Sequence, residues 1–181
     1  AADHFCLTGG AWPQALLRPF GIETSIEPVR GQIVLLSGPP GLLGHVIEDG
    51  TRYLVPRPDG RILVGSTEER VGFDRRNTAS GIAGLIRFAV QRVPQLADAD
   101  VEQTWAGLRP GSFDGLPYIG CVPRVENLYV AAGHFRSGLQ MSPFTAVLLR
   151  QLVLGQETAV ELEPYACDRH QADPAPASDR A

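Results

Sequence analysis

The sequence predicts an α+β architecture: an antiparallel sheet with one helix packed on it, flanked at both ends of the chain by strand, glycine turn and helix. Three observations predict it. From Ile26 to Gly65, short β-rich runs are separated by reversing residues. Across residues 78–93 the apolar side chains recur with helical spacing. Near each end of the chain, a strand pattern runs into glycines and then into a second helical pattern.

Residues 4–7 form a short apolar run that reaches Thr8-Gly9-Gly10-Ala11-Trp12, with Leu16 and Leu17 following before Pro19 and Gly21. The pattern is strand, tight turn, short helix. It is either the βα turn of a nucleotide-binding sheet or an ordinary turn. The next segment carries strand candidates at residues 32–36, 44–48, 52–56 and 61–65. Pro39-Pro40-Gly41, Asp49-Gly50 and Pro58-Asp59-Gly60 separate them with fixed or positive φ, as in an antiparallel meander. Gly38, Gly41 and Gly44 mimic a dinucleotide fingerprint, but two prolines occupy the loop and no helix follows.

Thr78 is placed to cap a helix whose buried face is Ile82, Leu85, Ile86, Ala89 and Val93, with Pro94 ending it. A strand is expected at 101–105, then a corner, Gly107-Leu108-Arg109-Pro110-Gly111, that carries one guanidinium. Residues 127–132 are a strong strand candidate leading into the polar turn Gly133-His134-Phe135-Arg136-Ser137-Gly138. The following helix is expected to start at Ser142 and Pro143 and to bury Ala146, Val147, Leu149, Leu152 and Val153 before Gly155. From Pro164 onward almost nothing apolar remains to bury, and a structureless tail is expected. The boundaries that follow are 1–25, 26–115, 116–160 and a tail at 161–181.

Composition narrows the function classes. The chain has 181 residues, 44% of them hydrophobic, and a formal net charge of −4 with both signs dispersed, so no footprint for nucleic acid or an anionic membrane surface is present. No run approaches the roughly 18 to 20 apolar residues of a membrane span, and no signal segment opens the chain, which reads as cytoplasmic. Cys6, Cys121 and Cys167 are too dispersed for a disulfide framework or a metal site. All 16 basic residues are Arg. A Schiff-base or phosphate-loop lysine is therefore ruled out within these residues, and chemistry must run on other side chains, the backbone or a cofactor.

The segment from Leu128 to Leu154 has the clearest capacity for chemistry. Its glycines let a flat ring or a phosphate approach the backbone, and the helix start offers unpaired N–H groups and partial positive charge. Gly133 and Gly138 have phosphate-loop spacing but no lysine follows. A reduced isoalloxazine, with negative charge near N1 and the C2 carbonyl, suits such a pocket better than a triphosphate does.

Four runs carry a resemblance. Pro28-Val29-Arg30-Gly31-Gln32, Tyr53-Leu54-Val55-Pro56-Arg57, Trp105-Ala106-Gly107-Leu108-Arg109-Pro110 and Ala132-Gly133-His134-Phe135-Arg136-Ser137-Gly138 resemble, in that order, the glycine oxidases of the D-amino-acid oxidase family. The resemblance covers most of the chain from Gly9 to Leu154 and extends to the glycine oxidases of thiamine biosynthesis. It implies an antiparallel substrate-binding sheet at 26–115, with residues 1–25 and 116–160 as parts of an FAD-binding α/β domain. It also implies oxidation of glycine or a related small amino acid or amine to the imino acid, with oxygen as acceptor and hydrogen peroxide released. The family's N-terminal dinucleotide fingerprint is absent from these residues, so the resemblance is to the C-terminal portion, and this stretch alone is expected to be inactive. No Cys lies beside Arg109, where the related sarcosine oxidases attach flavin, so noncovalent FAD is implied.

Carried over by position, Arg109 becomes the substrate-carboxylate anchor, a role its planar fork suits. The alternative is an internal salt bridge. Tyr53 matches a tyrosine that shares in substrate binding, or packs as a half-buried strand residue. Arg136 matches an arginine at the mouth of the site, or is a solvated turn residue. Glu68 departs from the family pattern, as does Thr51; its carboxylate either attracts a substrate ammonium or faces water. Gly9, Gly10, Ala11 and Trp12 are expected near the cofactor, and the backbone of Gly133, His134, Phe135, Arg136, Ser137, Gly138, Leu139 and Gln140 is expected to line it. No acid or base and no metal ligand is assigned. Two other readings stay open, an amino-acid dehydrogenase of the same fold with another electron acceptor and a non-catalytic carboxylate-binding fragment. A homo-oligomer is compatible with all three.

Overall fold

The computed structural model describes residues 2–170. The chain divides into two compact units, one formed by residues 28–109 and the other by 1–27 with the described residues from 110 onward.

The unit of residues 28–109 is built on a five-stranded sheet. Its strands are β2 (Glu27–Ser37), β3 (Ile47–Asp49), β4 (Arg52–Pro56), β5 (Arg61–Gly65) and β6 (Asp100–Gly111), in the spatial order β3-β4-β5-β2-β6. β3, β4 and β5 form the expected antiparallel meander, but β2 pairs with β5 rather than with β3. Pro39-Pro40-Gly41 is therefore part of a crossing to the far edge of the sheet and not a hairpin turn. β2 buries residues on both faces, which suits an interior strand better than a meander edge.

Pleating brings Ile47, Leu54, Val64 and Val34 into register on one face, with Leu36 opposite Ile62 in the next row. Helix α2 (Ala79–Arg92) covers that face with Leu85, Phe88 and Ala89, and Leu96 closes the cluster. Its start is the predicted cap, the Thr78 side chain accepting from the Gly81 amide at 3.2 Å. β6 corrects one expectation. Gly107 and Gly111 have no positive φ, so the residues expected to turn as a corner continue the strand. Arg109 thereby projects from a sheet instead of a loop.

The second unit carries a three-stranded sheet ordered β1 (Phe5–Leu7), β8 (Leu128–Ala132) and β7 (Tyr118–Cys121). β1 and β8 run parallel, with Cys6 opposite Tyr129 and Leu7 opposite Val130, so the two ends of the sequence meet in one sheet. β7, a strand that the sequence pattern did not predict, pairs antiparallel with β8. Helix α1 (Pro13–Leu17) follows β1, and helix α3 (Gly138–Val153) follows β8.

Helix α3 begins one turn earlier than predicted, placing Ser142 and Pro143 inside it. Pro143 cannot donate to the Leu139 carbonyl four residues back, and the Ser142 hydroxyl donates to that carbonyl instead at 2.8 Å. The bond explains how the helix runs through a residue that otherwise signals a start.

Residues 161–170 also differ from expectation. Glu163–Tyr165 forms a 3₁₀ turn, Cys167 is buried, and Arg169 stacks 3.6 Å from the Tyr118 ring centroid while donating to Asp114 at 2.9 and 3.0 Å. Charge pairing and an aromatic face hold this segment, with Cys167 packed into the core of the unit. The remainder of the predicted tail, 171–181, lies outside the described residues.

The contact has a pH signature. The Arg169 guanidinium holds the Asp114 carboxyl well below its ordinary range. A depressed carboxyl contributes its full stability above the unfolded value, near 3.9, and loses it as pH falls through the folded value. The near-UV dichroism of the tyrosines is thus expected to decline as pH falls below about 4. Asp114→Asn should show the altered signal already at neutral pH; a spectrum indistinguishable from the parent would show that the pair does not hold the segment.

Candidate functional site

Arg109 and Tyr53 share the sheet face opposite α2. Leu54, Val34 and Val64 point toward the helix, so by alternation Tyr53, Gly31 and Gly65 point away. Tyr53 lies directly opposite Gly65, and its ring occupies the space a Cβ there would need. The Arg109 guanidinium packs against Gly31 in the same manner.

Arg109 is half-buried. Its Nη2 donates to the Ser66 hydroxyl at 2.6 Å and its Nη1 to the Thr67 carbonyl at 3.3 Å. Among the described residues both acceptors are neutral, and Arg109 has no carboxylate partner. The internal salt bridge considered as its alternative role is not formed among them. Arg30 provides a contrast on the same sheet: it is 4% exposed and paired with both Glu69 and Asp74. Glu68 lies just beyond β5 and is exposed.

The second unit brings the two predicted glycine turns together. Because β1 and β8 are parallel neighbours, the turn Gly9-Gly10-Ala11-Trp12 after β1 and the turn beginning at Gly133 after β8 leave the same, carboxyl end of the strands, the position at which α/β sheets receive ligands. Gly10 and Gly133 have φ of 58° and 80°, and Phe135 adopts a positive φ of 49° that few non-glycine residues take. The Trp12 amide closes the first turn on the Gly9 carbonyl at 3.0 Å, and Ala11 is buried.

A concavity of about 250 Å³ opens here, lined by Thr8, Ala131, His134, Gly138, Ser142, Thr145, Ala146 and Leu149. Its lining is mainly apolar. His134 Nε2 lies 3.1 Å from the Thr145 hydroxyl, tying the turn to α3, and burial pushes the imidazole pKa down, which favours the neutral ring. Ser137, at the N-cap of α3, makes no side-chain capping bond, and Leu139, Gln140 and Arg136 are exposed.

The uncapped start of α3, where Gly138 lines the concavity, leaves backbone N–H groups able to receive negative charge. Among the described residues no cluster of three His, Cys, Asp or Glu side chains could hold a metal ion, and no helix is long and apolar enough to cross a membrane. Cys167 is no reactive thiol, since burial raises its pKa to about 11.

Comparison with known proteins decides the family. Residues 1–152 match the family described as FAD dependent oxidoreductase. The chain belongs to that family. Within it the chain is glycine oxidase-like. It is 44% identical over 166 residues to a glycine oxidase of Pseudomonas putida, covering 92% of this chain and 46% of that one. It is 42% identical over 167 residues to the hydrogen cyanide synthase subunit HcnC of Pseudomonas aeruginosa, covering 92% and 40%. Its structure matches the crystal structure of glycine oxidase from Geobacillus kaustophilus with a TM-score of 0.90 at 38% identity, covering 95% of this chain and 47% of that one. The chain thus spans less than half the length of these relatives.

The residues under Arg109 escaped the sequence reading. Ser66 and Thr67 reach Arg109 across 43 and 42 positions of sequence, a separation no local pattern reveals. Gly31 could have been found, since a glycine inside a strand pattern marks a close approach. Thr145, paired with His134, read only as part of a helix.

Proposed function

We propose that the protein carrying this chain oxidises glycine or a related small amino acid or amine to the imino acid, passing two electrons and two protons to oxygen to give hydrogen peroxide. The observation that carries the reading is Arg109, a half-buried guanidinium seated on two neutral acceptors with no carboxylate partner among the described residues. A permanently charged, partly desolvated fork of this kind is matched by the carboxylate of an amino acid. Its fixed seat positions that carboxylate in one orientation, and Tyr53 supplies an aromatic wall on the same face. Arg136 is assigned to the mouth of the substrate site, and Glu68 to attraction of a substrate ammonium.

The turns Gly9–Trp12 and Gly133–Gln140 are assigned to noncovalent FAD, held mainly by backbone. FAD, when bound, supplies the two-electron acceptor that the chain's side chains lack. His134 stays neutral and fastens its turn to Thr145. No side chain is required as a dedicated base for an amine that arrives unprotonated. A role in thiamine biosynthesis and a cytoplasmic location complete the reading.

The test uses full-length, flavin-loaded protein. Anaerobic addition of glycine should bleach the flavin absorbance, and readmitted air should release peroxide in equal amount to imine. Bleaching without peroxide, with turnover restored by an artificial dye, would replace the oxidase reading with a dehydrogenase. No bleaching by any small amino acid or amine would overturn the amine chemistry altogether.

A further inference from the structure

The seat of Arg109 is built around an absent side chain. Gly31 lies within β2 and does not have the positive φ that would call for glycine on backbone grounds. A Cβ at this position would overlap Nη1 of Arg109 and come within 2.6 Å of both Cζ and Nη2. The guanidinium fills the notch that the glycine leaves.

The opposite wall of the notch is held firmly. Ser66, 1% exposed, accepts from Nη2. The segment carrying it is laced to β2, for the Gln32 amide donates to the Thr67 hydroxyl at 2.9 Å and the Thr67 amide donates to the Gln32 carbonyl at 3.3 Å. Two residues on, the backbones of Arg30 and Glu69 exchange bonds of 2.8 and 3.0 Å, reinforced by Arg30 Nε on the Glu69 carboxylate at 3.0 Å. One guanidinium nitrogen is thus aimed by a buried hydroxyl while the whole plane is pressed over a glycine.

We infer that Gly31 and Ser66 are specificity-determining positioning residues, the Gly31 notch and the Ser66 hydroxyl together fixing the plane in which Arg109 meets a substrate carboxylate. The inference rests on the carboxylate-binding role proposed for Arg109. Neither residue needs to touch the substrate; each acts through the pose of the guanidinium.

The experiment compares Gly31→Ala, Ser66→Ala and Arg109→Ala in full-length, flavin-loaded protein. The probes are glycolate, whose binding is measured by calorimetry, and glycine and a simple alkylamine, measured by steady-state kinetics. Gly31→Ala is expected to weaken glycolate about ten-fold or more and to raise the half-saturating glycine concentration in parallel, with the alkylamine changed by less than about two-fold. Ser66→Ala should weaken glycolate roughly three- to ten-fold. In an Arg109→Lys background the Gly31→Ala penalty should shrink to below about two-fold, because lysine has no Nη1 to collide with the new methyl.

An equal Gly31→Ala penalty in both backgrounds would overturn the inference, as would equal losses on glycine and alkylamine. If Gly31→Ala fails to fold, Ser66→Ala decides by the same comparison. Unchanged glycolate affinity in Gly31→Ala and Ser66→Ala, with binding lost in Arg109→Ala, would sink this inference and leave the Arg109 role intact. Unchanged affinity in Arg109→Ala as well would remove both.

Discussion

Arg109→Ala in the full-length, flavin-loaded protein is expected to raise the apparent constant for glycine roughly 30-fold or more, because truncating one member of a buried charged pair costs about 2 to 5 kcal/mol. The guanidinium is half-buried, and the described residues supply it with neutral acceptors only, so the lost energy would be that of the substrate carboxylate. Arg109→Lys keeps the charge but loses the fork and the bond to Ser66, and only partial rescue is expected. A simple alkylamine is the control. It presents no carboxylate and should be nearly indifferent to the substitution. Flavin content should also be unchanged, since the turns assigned to the cofactor belong to the other unit. Equal losses on glycine and alkylamine, or a variant that purifies without flavin, would make Arg109 a structural residue.

Leu85→Ala should cost about 2 to 5 kcal/mol of local stability in the sheet unit, the range for a leucine truncated in a packed core. Leu85 is fully buried and belongs to the cluster of Val34, Leu36, Leu54, Ile62 and Val64 that joins α2 to the sheet. Hydrogen exchange of the β2 and β5 amides reports this unit directly, and their opening free energy should fall by that amount. The second unit's amides on β7 and β8 should be unaffected. A drop below about 1 kcal/mol would mean that α2 contributes little to the sheet it covers.

Several features were legible because they are local. Thr78 caps α2 as its side chain and position required, Pro94 ends the pattern, and β5 spans the β-rich run marked between turn residues. The glycine turns after β1 and β8 were visible for the same reason. Misreadings arose where a turn, helix-start or low-apolarity signal was overridden by the contacts around it. Pro143 looks like a helix start until Ser142 is seen to satisfy the carbonyl it strands. Gly107-Leu108-Arg109-Pro110-Gly111 looks like a corner until its glycines prove extended within β6. Residues 161–170 look structureless until Arg169 meets Asp114 and Tyr118.

The sequence by itself determined the α+β class, the helix of the sheet unit, the motifs of a glycine oxidase-like flavin enzyme and the absence of lysine chemistry within these residues. The class and the helix follow from periodicity and turn chemistry and the family motifs from the resemblance of four short runs, all of which act over a few positions. Only the tertiary structure decided that β2 lies between β5 and β6, and that β1 and β8 run parallel so that two glycine turns leave one end of the strands. It alone decided that Arg109 rests over Gly31 against Ser66 and Thr67. Strand pairing and side-chain seating join residues tens of positions apart, and their energies arise from surfaces that exist only once the chain has folded.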